Sequence, residues 1–133
     1  MILDYRNGMP RRSRYQTNVD TALDEAAGPL SAAELHELLS ETGVGIATVY
    51  RVLNDGAETG RYAVVQTPGG PARYEPATRP HHHHFECVSC QRVFDVEGCP
   101  GGMQRLVPEN FTLESHEVLL RGRCADCAGG AAA

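Results

Sequence analysis

Two Cys-x-x-Cys pairs are the residues whose types and spacing most clearly indicate chemistry. The first pair, Cys87 and Cys90, is separated by 33 residues from the second pair, Cys124 and Cys127. Each pair can place two thiolates around one ion, and two pairs complete a tetrahedral site. The spacing therefore predicts a closed, structural zinc site rather than free or redox-active thiols. The fifth cysteine, Cys99, lies in a Gly-Pro loop and is expected to be a semi-exposed free thiol.

Four consecutive histidines, His81 to His84, stand just before the first cysteine pair. A purification tag is the simplest explanation, but tags usually stand at chain ends, and this run is internal. Side chains on a β-strand alternate between its two faces, so His82 and His84 would share one face and His81 and His83 the other. Two imidazoles on one face make half of a metal site. The run can therefore serve two sites, the alternative being a solvated polar strand.

Metal-binding side chains elsewhere in the chain can complete these two half-sites. Glu75 precedes His82 by seven residues, and Asp95 lies beyond the cysteine pair, where a returning strand would pass the histidines. Both supply carboxylate oxygens. His116, in an acidic segment, can reach the histidines of the other face. Each of these residues, taken singly, is more often an ordinary surface residue than a ligand.

Helical periodicity in the first half of the chain predicts three helices, at about residues 13–26, from residue 31 to before Gly43, and at about residues 47–56. A capping box, Ser31 with Glu34 three residues later, opens the second helix. Its Leu35, Leu38 and Leu39 are expected on one face of the helix. In the third helix, the equivalent positions are those of Val49, Val52 and Leu53.

Two strand-like runs, over residues 61–67 and 72–75, flank the turn Pro68-Gly69-Gly70. Three helices followed by a hairpin predict a winged helix-turn-helix domain. We therefore predict two domains, a winged-helix domain over 1–77 and a dimerisation and metal-binding domain over 81–127, joined by a linker over 78–80. The chain is expected to begin with a flexible arm over 1–12 and to end with a disordered tail over 128–133. The second domain is expected to hold strands over 85–96 and 111–123, and a short helix over 103–107.

The charge and hydropathy of the chain limit its partners. The net charge is −5, which weighs mildly against DNA binding, but Arg11, Arg12 and Arg14 form a local basic arm. No apolar run is long enough to cross a bilayer, and the N-terminus has no signal-like apolar stretch. We therefore predict a soluble, cytoplasmic protein without a membrane partner. Disulfides are disfavoured in that compartment.

The third predicted helix carries the residues best suited to read DNA. Thr48, Tyr50 and Arg51 lie near its N-terminal end, which is the end that a recognition helix presents to the major groove. Arg51 can donate to guanine or to a phosphate, and Tyr50 can contact thymine methyl groups. An ordinary amphipathic helix in a scaffold is the alternative.

Four stretches together resemble the ferric uptake regulator (Fur) family of metal-dependent repressors: SAAELHELL, ATVYRVLN, HHHHFECVSC and CADC. The similarity extends from about residue 13 to residue 127. It implies an α+β chain with an N-terminal winged helix-turn-helix and a small α/β dimerisation domain that carries a four-cysteine zinc site. It also implies a homodimer that binds a double-stranded, palindromic DNA operator.

The resemblance implies roles for individual residues. The structural zinc ligands would be Cys87, Cys90, Cys124 and Cys127. The regulatory metal ligands would be Glu75, His82 and His84, with Asp95 at a position that supplies a ligand in some members. An additional metal site would include His81, His83 and His116. The DNA-contacting residues would be Tyr50 and Arg51, beside which we place Thr48 and Arg14.

Two departures from the family pattern affect these sets. Pro29 stands where many members have a regulatory histidine, so Asp95 becomes the expected fourth regulatory ligand. Gly102 stands where the additional site normally has a glutamate, so Glu97 is the expected substitute. Two imidazoles and two carboxylates suit Fe(II) or Mn(II), although zinc also binds such a set well.

These observations predict a metal-responsive, DNA-binding transcriptional repressor of metal homeostasis genes, with structural Zn(II) and regulatory Fe(II) or Mn(II). It is not expected to be an enzyme, since no substrate cleft is indicated. A zinc-uptake regulator or a peroxide-sensing repressor of the same family is the nearer alternative. A metalloprotein or metalloenzyme that does not bind DNA is the more distant one.

Overall fold

The computed structural model describes the backbone of residues 3–132 and the side chains of residues 14–129. The chain divides into two compact units, Met1–Arg79 and Pro80–Ala133. The helices found in the described part of the chain are either too short or too polar to cross a membrane.

The first unit is a winged helix-turn-helix, as predicted. Its elements are, in chain order, α1 (Leu3–Glu25), β1 (Leu30–Ser31), α2 (Ala32–Leu38), a 3-10 turn (Ser40–Thr42), α3 (Ile46–Thr59), β2 (Tyr62–Val65) and β3 (Arg73–Pro76). Strands β2 and β3 form the predicted hairpin, and the antiparallel sheet has the order β1-β3-β2. The sequence did not predict β1, because two residues are too few to show a period of two.

The core of the first unit is formed by side chains of all three helices and the hairpin. Its most buried members are Val19, Leu23, Leu35, Val49, Val52, Leu53 and Tyr62. The inward face of α3 is therefore confirmed. Leu38 differs from the other two leucines of this helix, since its side chain is 62% exposed. Leu35 and Leu39 are four residues apart and share the buried face, whereas Leu38 is the last residue of α2 and turns to solvent.

The predicted capping box at the start of α2 is present. The Glu34 backbone N–H donates to Ser31 Oγ at 3.1 Å, and the Ser31 backbone N–H donates to Glu34 Oε1 at 2.9 Å. Arg73 on β3 also donates to Glu34 Oε1, at 2.5 Å. Because Ser31 also forms part of β1, these contacts attach the start of α2 to the sheet.

The helices at both ends of the chain extend beyond the predicted elements. Helix α1 begins at Leu3, about ten residues before the predicted start, and the last helix ends at Ala132. The side chains of residues 1–13 and 130–133 lie outside the described residues, so the flexible arm over 1–12 and the disordered tail over 128–133 stay predictions.

Gly56, on α3, allows the close approach of the Tyr62 ring to the helix. A methyl group at Gly56 would overlap this ring, whose hydroxyl is fixed by a 2.5 Å hydrogen bond donated to Asp20 Oδ1. We expect Gly56→Ala to destabilise the chain, because overpacking costs about 1–3 kcal/mol and outweighs a gain in helix propensity of up to about 1 kcal/mol. Urea denaturation measures the change. Gly129→Ala is the control, since a methyl group there meets nothing within 4 Å.

The second unit is a small α/β domain, also as predicted. Its elements are β4 (His83–Cys87), β5 (Val93–Val96), a 3-10 helix (Met103–Leu106), β6 (Leu119–Gly122) and α4 (Ala125–Ala132). The sheet has the order β5-β4-β6, with β4 antiparallel to β5 and parallel to β6. The strand pair expected over 111–123 is wrong, because only β6 forms in this segment. The central position of β4 places the histidines and the first cysteine pair between two strands.

The second unit has little apolar core of its own. Among its described residues, the buried hydrophobic side chains are Cys87, Val93 and Cys124. Several large apolar side chains are instead exposed: Val88, Leu106, Phe111 and Leu120. A unit of this size with so small a core requires another source of stability.

Candidate metal centres and DNA-facing helix

The four cysteines of the two Cys-x-x-Cys pairs lie together in the second unit, and their Sγ atoms are all within 4.8 Å of one another. Cys87 ends β4, and a turn through Gln91, which has a φ of 67°, directs Cys90 back toward it. Cys124 follows β6, and Cys127 lies in the first turn of α4. The group therefore connects β4, β6 and α4. We call it the cysteine group.

The pKa values within the cysteine group diverge. The backbone N–H groups of Cys90 and Cys124 each donate to Cys87 Sγ at 3.4 Å, and these bonds lower the pKa of Cys87 to about 5. The Cys127 thiol is hydrogen-bonded to Cys124 and Cys87, which raises its pKa to about 12. Some thiolates thus form readily and others do not. A divalent cation would remove this conflict by stabilising all four thiolates, so the donor set fits zinc.

Arg92 lies against the cysteine group from the solvent side. Its Nε donates to Cys90 Sγ at 3.3 Å, and its Nη2 donates to Cys124 Sγ at 3.6 Å and to Asp126 Oδ2 at 3.3 Å. The hydrogen bond from Arg92 lowers the pKa of Cys90. Sequence reasoning missed this residue, although its position two residues after Cys90 was a usable signal. Arg92 favours the thiolate form and partly balances the negative charge of the group.

A second group lies on one face of the same sheet. His84 and Asp95 are paired between β4 and β5 and project from the same face. The His82 ring lies 4.8 Å from the His84 ring, centroid to centroid, as the alternation of side chains predicts. Asp95 Oδ1 is 3.5 Å from His82 Nε2 and 3.7 Å from His84 Nε2. We call these three residues the His82 group.

The tautomer of His82 favours a cation in this group. His82 Nδ1 is 2.8 Å from the carbonyl oxygen of Pro80, which can only accept, so Nδ1 carries the proton. In the neutral ring, Nε2 is then an acceptor, and it faces the carboxylate of Asp95. Two acceptors that face each other are stabilised either by a second proton on the ring, as in an imidazolium–carboxylate pair, or by a metal cation. A metal ion bound by imidazole nitrogens and a carboxylate oxygen fits that position.

Glu75, the other residue predicted for the regulatory set, belongs to the first unit. It lies on β3, where it is paired with Ala63 of β2, and it is 6% exposed. Its position at the end of the wing is as predicted.

A third group forms on the opposite face of β4. The ring centroids of His81 and His83 are 4.6 Å apart, and His116 lies 4.9 Å from His81 and 5.1 Å from His83. The Cys99 Sγ is 3.1 Å from His116 Nε2. Donor atoms of these four residues are all within 4.8 Å of one another. We call them the Cys99 group.

Glu97, expected in this third set, is not part of it. Val96 is paired with His83 and projects from the face of the Cys99 group, whereas Asp95 projects from the other. By alternation, Glu97 continues on the side of Asp95, and its side chain is exposed. The chain then turns through Gly98, which has a φ of 95°, and brings Cys99 back to the histidines. Only the strand pairing shows this, so the sequence could not distinguish the two residues.

The N-terminal part of α3 exposes the residues expected to contact DNA. Tyr50 is 50% exposed, and Arg51 is exposed with its Nη2 donating to Thr48 Oγ1 at 3.0 Å. Val49, between Thr48 and Tyr50, is buried, and its burial fixes which face of the helix is exposed. Arg14 is exposed on α1, with its guanidinium 5.4 Å from the centre of the Tyr15 ring. The side chains of the other two arginines of the basic arm, Arg11 and Arg12, lie outside the described residues.

Comparisons with known proteins agree on one family. Residues 11–121 match the model of the Ferric uptake regulator family. A ferric uptake regulation protein of Vibrio anguillarum is 36% identical over 102 residues, which cover 73% of this chain and 68% of the relative. The solved structure of the Vibrio cholerae ferric uptake regulator is 30% identical, with a TM-score of 0.67, and the match covers 82% of this chain and 88% of that one. FurB of M. tuberculosis, a zinc uptake regulator, is 31% identical with a TM-score of 0.50, covering 88% and 95%.

Proposed function

The chain belongs to the ferric uptake regulator family, and from this premise we propose that it is a metal-responsive, DNA-binding repressor of metal homeostasis genes. The observation that carries the proposal is the His82 group, in which the Nε2 atoms of His82 and His84 both lie within 3.7 Å of one carboxylate oxygen of Asp95. The group lies just after the boundary between the two units. A metal bound there is well placed along the chain to affect the DNA-binding unit.

We assign the regulatory metal to His82, His84, Asp95 and Glu75. Two imidazoles and two carboxylates form a borderline-to-hard donor set that favours Fe(II) or Mn(II). Zinc remains the competing ion, because such sets bind zinc well and one relative is a zinc uptake regulator. The cysteine group is assigned a structural zinc ion, since four thiolates form a closed site without a position for substrate or effector.

The proposed mechanism couples metal binding to the arrangement of the two units. Glu75 belongs to the wing, and His82 follows it by only seven residues, at the start of the second unit. An ion that binds both would select one arrangement among those that the linker allows. If the ion binds that arrangement about 100-fold more tightly, operator binding gains about 2.7 kcal/mol.

We further propose that the active form is a homodimer on a palindromic operator. The exposed apolar side chains of the second unit, including Leu106 and Phe111, support an interface between copies. A two-fold symmetric dimer would present two copies of α3 to two half-sites of DNA. The net negative charge of the chain then matters less than the local charge near Arg14 and Arg51.

A binding titration tests the proposed function. Operators are selected from a random-sequence duplex DNA library in three parallel selections, with Fe(II), Mn(II) or Zn(II), and affinity for a selected operator is then measured at buffered free concentrations of each ion. We expect binding to require one of these ions, with Fe(II) or Mn(II) effective at its own physiological free concentration. Failure to select any sequence with any of the three ions would overturn the proposal. Selection with zinc alone would identify a zinc-uptake regulator instead.

Arg51→Ala should weaken operator binding at every metal concentration. A lost guanidinium contact to a base or phosphate costs about 1–3 kcal/mol, which corresponds to roughly 5- to 150-fold in Kd. The metal concentration at half-maximal response should change little, since Arg51 is remote from the metal groups in sequence. Arg105→Ala is the matched control, because it removes the same charge from the second unit. Equal losses for both variants would mean that Arg51 acts only through net charge.

A further inference from the structure

We propose that Arg92 is a positioning residue that holds the two halves of the cysteine group together and thereby slows the release of its zinc ion. The guanidinium contacts one thiol of each Cys-x-x-Cys pair, so it joins segments that are far apart in the chain. This role rests on the zinc ion assigned to the cysteine group under the proposed function. It extends the site beyond the four predicted ligands.

The shape of the Arg92 side chain matches the spacing of two sulfur atoms. Nε donates to Cys90 Sγ at 3.3 Å, Nη2 donates to Cys124 Sγ at 3.6 Å, and these two sulfurs are 3.9 Å apart. Nε and Nη2 lie on the same edge of the guanidinium, so one planar fork reaches both sulfurs. A lysine ammonium is a compact point charge without such a fork, and it could not replace arginine fully.

Two further contacts orient this fork. The Cζ atom of Arg92 lies 5.1 Å from the centre of the Phe94 ring, which is within the range of a cation–π contact. Nη2 carries a second N–H and donates to Asp126 Oδ2 at 3.3 Å, in the first turn of α4. Arg92 therefore connects the turn after β4, strand β5 and helix α4 around the sulfur atoms.

The charge of Arg92 favours the zinc-loaded group over the empty one. Four thiolates carry more negative charge than one divalent cation cancels, so the loaded group remains anionic. Hydrogen bonds from a guanidinium are strongest to ionised acceptors, and loss of zinc allows the thiolates to take up protons. The two N–H···S bonds thus weaken when zinc leaves. Separation of the two cysteine pairs also breaks both bonds together, because one side chain makes them.

Arg92 does not contact all the sulfurs of the group equally. It donates to Cys90 and Cys124, whereas Cys87 Sγ accepts the backbone N–H groups of these two residues. Hydrogen bonds to a metal-bound thiolate tune its basicity and lower its reactivity as a nucleophile. Loss of the guanidinium should therefore expose Cys90 to electrophiles and leave the hydrogen bonds of Cys87 in place.

Zinc release tests the proposal. The full chain is dialysed against a moderate chelator until a single zinc ion per chain remains, and release into excess pyridylazoresorcinol is followed by absorbance. Arg92→Met removes the guanidinium and keeps an apolar stem beside Phe94. We expect release to be about tenfold faster, the lower end of the range for a hydrogen bond to a charged group, because the Arg92 side chain is 46% exposed.

Two variants make the result specific to the fork. Arg123→Met is the matched control, because it removes the same charge beside Cys124 from an exposed side chain that makes none of the described hydrogen bonds to sulfur. It should release zinc as the unmodified chain does, and Arg92→Lys should release it at an intermediate rate. Equal rates for Arg92→Met and Arg123→Met would overturn the proposal. So would an Arg92→Lys chain as slow as the unmodified one, since charge alone would then suffice.

Labelling with N-ethylmaleimide distinguishes this role from a general loosening of the second unit. Relative to the unmodified zinc-loaded chain, Arg92→Met should show a higher ratio of label on Cys90 to label on Cys87, measured by peptide mass spectrometry. An unchanged ratio would indicate general loosening and would overturn the proposal. An unmodified chain that retains no zinc after dialysis would overturn the zinc assignment as well, whereas zinc retention with equal release rates would overturn the role of Arg92 alone.

Discussion

Replacing Cys87 with serine should remove the zinc ion of the cysteine group and unfold the second unit. Cys87 is fully buried at the end of β4, and its Sγ accepts the N–H groups of Cys90 and Cys124. Structural zinc contributes about 10–16 kcal/mol of apparent folding free energy in small zinc domains, which is comparable with the whole stability of a typical domain, about 5–15 kcal/mol. The few buried apolar side chains of this unit cannot compensate for such a loss.

Three measurements check this result together: zinc content by elemental mass spectrometry, secondary structure by circular dichroism and oligomeric state by sedimentation. The variant should lose the zinc of the cysteine group, the signal of the second sheet and the homodimer, while the helices of the first unit remain because their core is separate. Cys99→Ser is the matched control, since it makes the same chemical change outside the cysteine group and should leave the zinc of the cysteine group, the secondary structure and the homodimer unchanged. A folded, dimeric Cys87→Ser chain without zinc would show that the group is not structural.

Features that depend on near neighbours in sequence were predictable. The capping box of Ser31 and Glu34 involves residues three apart, and the buried face of α3 repeats at helical spacing. The histidine run is the clearest example. Alternation along one strand predicted that His82 would lie with His84 and His81 with His83, and the ring distances of 4.8 and 4.6 Å agree.

Features that depend on which strands pair were not predictable. Glu97 and Cys99 are two residues apart, and the choice between them depends on the pairing of Val96 with His83 and on the turn after β5. Strand β1 exists only because β3 lies beside it, and its two residues carry no pattern of their own. In the same way, the exposure of Leu38 depends on where α2 ends relative to the core. Long-range packing decides each case, and local residue types do not.

The second large effect is expected from His82→Ala, which should abolish the response of operator binding to metal. The Pro80 carbonyl holds His82 Nδ1 as a donor, so in the neutral ring it is Nε2, 3.5 Å from Asp95 Oδ1, that can bind a metal ion. The alanine variant keeps only His84 and Asp95 of the three ligands that we assign to the second unit. The ion then binds too weakly to select the active arrangement. At an Mn(II) concentration that saturates the unmodified chain, the operator affinity of the variant should be about 100-fold lower, which corresponds to about 2.7 kcal/mol.

This loss must be distinguished from a loss of folding or of DNA contact. His82 is partly exposed at the start of the second unit, so its removal should leave the zinc of the cysteine group and the homodimer intact. His36→Ala, on α2 and outside all three groups, is the matched control and should respond to metal as the unmodified chain does. Arg51→Ala serves as the control for loss of DNA contact, because it should lower operator affinity while preserving the response to metal. If the His82→Ala chain still bound its operator in a metal-dependent way, the regulatory ion would have to lie elsewhere, and the Cys99 group would be the next site to test.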